Sequence, residues 1–224
     1  MALCPFAYRE YLLTQPGSFK PGANGPKLER IVIHHNAVRQ DQISNHALSA
    51  WNTWTAAAKA GRMQSAHFMV EPDGRIFQLI DTADIGFGTA TYTGRAVHIE
   101  HAGNGQPFTR QQLHASALLI AWIKSVHPDV PLVPVGTSLR DFGDDKQIGI
   151  TCHAWTDLAA IKFRKPFAPK TAKVTCPGKP MMDSIGLLAR LAVNYAGAVP
   201  TVTSPVGAVA ATFFDWSGGI PEPL

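Results

Sequence analysis

Short apolar runs of β-type alternate along this 224-residue chain with longer stripes at helical spacing. Leu28–His35, LERIVIHH, carries three consecutive β-branched residues, Ile31, Val32 and Ile33. It ends in two histidines before a polar Asn36-Ala37 turn, which predicts a buried strand over about 28–35. Ile43, Ala47, Ala50, Trp51, Trp54 and Ala58 then recur on one helical stripe, with Gly61 as its stop. Residues 66–70 and 75–80 read as a hairpin around Glu71-Pro72-Asp73-Gly74, and 82–95 as a Gly/Thr-rich loop. A strand is expected at 96–103, placing His98 and Glu100 on one face. A helix follows from the T-x-x-Q box at Thr109 to about Val126. Beyond a loop-rich stretch, a short strand at 148–153 ends on His153, 154–179 reads as a long basic loop, and a last helix runs from 180 to 195. The order β-α-β-β-β-α-β-α implies one α/β domain, a mixed central sheet flanked by helices, over 28–196. Before it stands a Pro/Gly-rich arm, 1–27, with a short helix expected near Tyr8–Thr14. After it comes a linker-like tail, 197–224, ending in Phe213, Phe214 and Trp216.

Composition narrows the classes. Hydrophobic residues make up 46% and charged ones 16%, which suits a packed core rather than a disordered chain. No apolar run approaches the ~20 residues of a membrane helix, so no membrane insertion is expected. The start, MALCPFAYREY, lacks the basic and apolar regions of a secretory signal, so a protein made for the cytoplasm, or exported by an unusual route, is expected. Three cysteines, Cys4, Cys152 and Cys176, argue against a disulfide framework and permit a metal thiolate. A net charge of +4 suits an anionic polymer such as a cell wall. The aromatic-plus-basic clusters of a nucleic-acid binder are missing.

Three segments carry candidate chemistry. By strand parity His34 shares a face with Val32, and His153 with Thr151, so one histidine from each strand end faces a common cleft. His35 and Cys152 then turn toward apolar cover. Cys176, in a loop before Pro177-Gly178, can return beneath the strand ends. Two imidazoles and a thiolate form a zinc set, and three protein ligands leave the open position of a catalytic site. Glu100 is a carboxylate in an otherwise apolar strand, costly to bury without a partner or a task. It suits a general base, or alternatively a carboxylate that orients a ligand histidine.

These fragments, IVIHHN at 31–36, SAHFMVEPDGRIFQ at 65–78, VHIE at 97–100, TCH at 151–153 and CPG at 176–178, stand in the order of a known family. The chain resembles the zinc-dependent N-acetylmuramoyl-L-alanine amidases of the phage-lysozyme and peptidoglycan-recognition-protein type over about 28–195. The resemblance implies the fold described above and zinc on His34, His153 and Cys176. It also implies an acidic catalytic residue at Glu100, an oxyanion-stabilising lysine at Lys173 and a substrate contact at His67. The implied activity is cleavage of the amide between N-acetylmuramic acid and L-alanine in peptidoglycan. The implied setting is a phage endolysin, made in the host cytoplasm and released onto the wall. A cytoplasmic muropeptide-recycling amidase and a non-catalytic peptidoglycan-binding module are the rivals. Three departures stand out. Ala66 replaces a frequent catalytic tyrosine. Lys173 stands three before Cys176 rather than two, with Val174 in the usual place. His101 occupies a usually aliphatic position.

Overall fold

The computed structural model describes residues 3–24, 27–144 and 146–197. In chain order the elements are β1 (Phe19–Lys20), β2 (Arg30–His35), α1 (His46–Lys59), β3 (Phe68–Val70), β4 (Ile76–Gln78), β5 (Ile85–Gly86), β6 (Ala96–His101), α2 (Arg110–Val126), β7 (Gly149–Cys152), α3 (His153–Lys162), α4 (Lys179–Asp183) and α5 (Ile185–Ala196). The main sheet has the order β4-β3-β6-β2-β7. β2 runs parallel to both neighbours, β6 and β7, and β3 is parallel to β6; only β4 is antiparallel. The protein is thus a single α/β domain with a mixed central sheet flanked by helices.

The two faces of the sheet are differently employed. Ile31, Ile33, Val97, Ile99, Phe68, Val70 and Ile150 point to one side, where α2 and α5 cover them in the main core. Cutting any of these fully buried side chains to alanine should cost about 2–5 kcal/mol. On the other side α1 packs Ala47, Ala50 and Trp54 against Met69, Phe77 and Leu79, covering only the β3–β4 end. Beyond α1, a cleft opens on that side at the C-terminal ends of β2 and β6, lined there by His34, His35 and Glu100.

Helix starts follow their caps. Asn45 accepts the Leu48 N–H at 2.7 Å and opens α1. Thr109 accepts the Gln112 N–H at 3.0 Å and opens α2. Gln112 does not complete the box. Its amide instead donates to the carbonyls of Val70 and Ala102, tying α2 to the ends of β3 and β6.

Four expectations change. Tyr8–Thr14 is not helical, because its backbone finds partners on β4: Tyr8 N–H bonds Ile76 O and Gln78 N–H bonds Tyr8 O, both at 2.8 Å, so the arm covers that sheet edge. The loop 82–95 contains β5, which pairs with β1 of the arm. The stretch after Cys152 is helical through Lys162 before the basic loop begins; Ala154, Leu158, Ala159 and Ala160 supply the propensity that the following basic residues and Pro166 obscured. The last helix is two, broken at Ser184, whose hydroxyl donates to Pro180 O. The tail from 198 lies outside the described residues. Among the described residues no helix is long and apolar enough to cross a membrane.

Candidate metal centre and its cleft

Register sets the site. β2 outruns β7: Ile33 pairs with Cys152, and at the next level β7 has already turned into α3. His153 is therefore the first residue of a helix, with Cys152 at its N-cap, rather than a strand end. It still arrives beside His34. Cys176 follows from a turn whose amide bonds Lys173 O at 3.0 Å, and its own carbonyl accepts the Ala154 N–H at 2.9 Å. Gly178 clamps this turn to the loop after β6; a Cβ there would lie 2.5 Å from the Cα of Gly105.

The three side chains converge. Nδ1 of His34 and Nδ1 of His153 are 3.2 Å apart, and the Cys176 sulfur is 3.9 Å from His34 Nδ1. All three donor atoms lie within 4.8 Å of one another, and all three residues are buried. Two nitrogens each 2.0–2.1 Å from one tetrahedral ion would stand roughly 3.3 Å apart, so the donor set fits a zinc ion.

Each imidazole is held from behind. His34 Nε2 lies 3.1 Å from His98 Nδ1. With His34 Nδ1 turned to the triad, its Nε2–H donates to His98, which fixes the ring. His153 Nε2 lies 3.5 Å from Asp157 Oδ2, one helical turn on. That same oxygen accepts the Lys173 backbone N–H at 2.9 Å. Burial and the neighbouring imidazoles hold His34 well below its ordinary pKa, and burial brings His153 down to about 4. Both rings are thus neutral, as ligands must be. Burial and the nearby Glu100 push the Cys176 thiol up, opposed by the His35 backbone N–H. This thiol needs a cation to ionise.

Glu100 pairs with His34 across β2 and β6 and lines the same cleft. Its Oε2 is buried without a hydrogen-bond partner. Burial raises its pKa to about 8 against the pull of Lys173. Lys173 also lines the cleft, while Val174 is 42% exposed and does not. The Lys173–Cys176 turn thus brings the lysine to the site despite its one-residue offset.

Other residues settle differently from the sequence reading. His67 is fully buried and does not line the cleft: its Nδ1 accepts the His98 N–H at 3.0 Å and its Nε2–H donates to Asp84 O at 3.0 Å. The ring is a strut behind His98 and is closed off from the cleft. His35 is half-buried at the cleft edge, where Nδ1 accepts the Gly105 N–H at 2.9 Å, rather than turned into apolar cover. Cys152 does pack in the main core. His101 gains an account: its ring spans from the His34 carbonyl at 3.0 Å to the Ser116 hydroxyl at 2.8 Å, tying β2 to α2. His98 and Asp157 had no expected role. Shared strand parity with Glu100 pointed to the first, and the i, i+4 spacing from His153 would have pointed to the second had 154–162 been read as helix.

The cleft has a volume of about 910 Å³. Its floor is His34, Glu100, His153 and Cys176, and one wall is the 87–93 loop. Gly88 presses on the His98 ring so closely that a Cβ would lie 2.6 Å from it.

Residues 24–178 match the family model described as N-acetylmuramoyl-L-alanine amidase. No curated protein matches the chain by sequence. Among solved structures, the Staphylococcus aureus hydrolase AmiA, solved in complex with its ligand, is similar at 16% identity and a TM-score of 0.59, covering 88% of each chain. The amidase LysC from Clostridium intestinale is 16% identical with a TM-score of 0.53, over 81% of this chain and 95% of that one. Drosophila PGRP-LB is 17% identical with a TM-score of 0.53, over 80% and 92%. At these identities the likeness is one of fold.

Proposed function

The chain belongs to the N-acetylmuramoyl-L-alanine amidase family, and from that premise we propose that it is a zinc-dependent peptidoglycan hydrolase cutting the amide between the lactyl group of N-acetylmuramic acid and L-alanine. The observation that carries this reading is the meeting of two neutral imidazoles and a thiol beside a carboxylate with an unpartnered oxygen, in one open cleft. His34, His153 and Cys176 would hold the ion. When bound, zinc supplies Lewis acidity, which polarises a carbonyl and makes water acidic near neutral pH.

The protein's own groups do the rest. Glu100 Oε2 accepts a proton from the attacking water and passes it to the leaving nitrogen, so that L-alanine departs as an amine. Burial raises its pKa in the metal-free chain, and a dication bound beside it would draw that pKa down, leaving the carboxylate ionised for the first step. Lys173, held through its backbone by Asp157, faces the negative charge that develops on the carbonyl oxygen. His98 and Asp157 keep the two ligand rings oriented. With Ala66 fully buried and unable to contribute a proton, Glu100 carries the proton transfer alone.

The reading includes a lytic, endolysin-like role on intact wall, supported by the resemblance and the open cleft. Substrate size separates it from its rivals. Activity confined to soluble muropeptides would indicate recycling, and wall binding without release would indicate a recognition module. Metal analysis tests the centre: the purified protein should hold one zinc, and His34→Ala, His153→Ala or Cys176→Ala should lose zinc and turnover together. Full zinc in any of these variants would remove that residue from the ligand set.

A further inference from the structure

Among the described residues, the two most exposed large apolar side chains are Phe167, at 87%, and Met63, at 67%. Both line the cleft that holds the metal triad. They reach it from different elements. Met63 follows α1, which packs on the β3–β4 end of the sheet, and Phe167 follows α3, which continues from β7 at the other end. Two isolated apolar side chains on a surface need no explanation, but both bordering one polar cleft do.

The backbone at Phe167 adds a second observation. The Ala168 N–H bonds Lys165 O at 3.1 Å, closing a turn with Pro166 and Phe167 at its centre. Phe167 has φ +62, the sign that a type II turn places at its third position. Glycine or asparagine is favoured there, and a bulky side chain is an outlier. Here the strained place displays a phenyl ring almost wholly to solvent. Among the described residues no ring or cation stacks on it. Strain kept at a site rim is a pointer to function.

Resting on the amidase reading above, we propose that Phe167 is a saccharide platform, stacking on a sugar of the glycan strand that flanks the scissile amide, with Met63 on the opposite rim. A free aromatic face suits the C–H face of a pyranose ring. The stem peptide, with its carboxylates and amides, offers no such face. Binding to a strand longer than the cleft explains why the ring stands at the rim rather than over the metal triad.

Binding, not turnover, tests this. In a Glu100→Gln background, which leaves the wall uncut, affinity is measured for intact sacculi and for glycan strands stripped of stem peptide. Phe167→Gly should weaken binding to both by roughly tenfold, on the order of one aromatic contact, and Phe167→Trp should keep it. Glycine suits φ +62, so the melting temperature of Phe167→Gly should not fall, which separates lost contact from lost fold. Unchanged affinity, a loss confined to peptide-bearing wall, or no binding to stripped glycan by the parent would overturn the platform. Whether the unmutated protein releases L-alanine amines from sacculi is a separate readout and judges the amidase reading alone.

Discussion

Glu100 has a buried oxygen with no hydrogen-bond partner, and burial raises its pKa from 4.5 to about 8. The folded state therefore keeps a proton that the unfolded chain has released between those values, and stability falls as pH rises through that window. In metal-free protein, Glu100→Gln should match the wild type at pH 4 and become more stable than it by pH 8, by as much as a few kcal/mol. Calorimetry across pH checks this; a gap that does not change with pH would mean the carboxylate is already solvated. The same variant, zinc-loaded, should keep its metal yet lose most turnover. At this scale the sequence was readable where parity decides. His34 and Glu100 share a face because β2 and β6 pair them, whereas the burial of His67 is not legible, because its motif neighbours say nothing of the two backbone groups that enclose its ring.

At the scale of elements, α3 is what the chain's pattern hid and what the site depends on. Its first residue is His153, its second turn supplies Asp157, and the loop it launches carries Phe167 and Lys173. One carboxylate oxygen thus serves the His153 ring and the backbone of Lys173 at once. Asp157→Ala should lower zinc affinity by roughly 10–100-fold, the usual cost of removing such a partner, and should also lower turnover at saturating zinc, because Lys173 loses its anchor. Asp157→Asn, whose amide oxygen still accepts the Lys173 N–H, should recover more turnover than Asp157→Ala. Titration with a zinc chelator and kinetics at fixed zinc separate the two effects; equal losses in both variants would leave Asp157 a partner of His153 only. Helix α3 is hard to see in the sequence because it has no side-chain cap and runs straight out of a strand, so nothing marks its start.

For the molecule as a whole, the strand run at 31–33, the hairpin, the helical stripe at 43–58 and the Thr109 box make the α/β sandwich legible, since each is a local pattern. What was not legible came from long-range pairing: the arm laid along β4, β1 on β5, and the two-sided use of the sheet that leaves one end open. The His34–His153–Cys176 cluster joins a central strand to segments more than a hundred residues away, so an ion bound there only in the folded chain would stabilise all of it. Removing zinc with a chelator should lower the melting temperature by on the order of 10 °C, and zinc should restore it; the Cys176→Ser variant should show little response to either. The account as a whole stands on the bond that is cut. Mass spectrometry of purified sacculi incubated with the zinc-loaded protein tests it most directly: the account predicts soluble stem peptides with free L-alanine amino termini and an intact glycan with no new reducing ends, whereas new reducing ends, cleavage within the peptide, or no soluble product would contradict it.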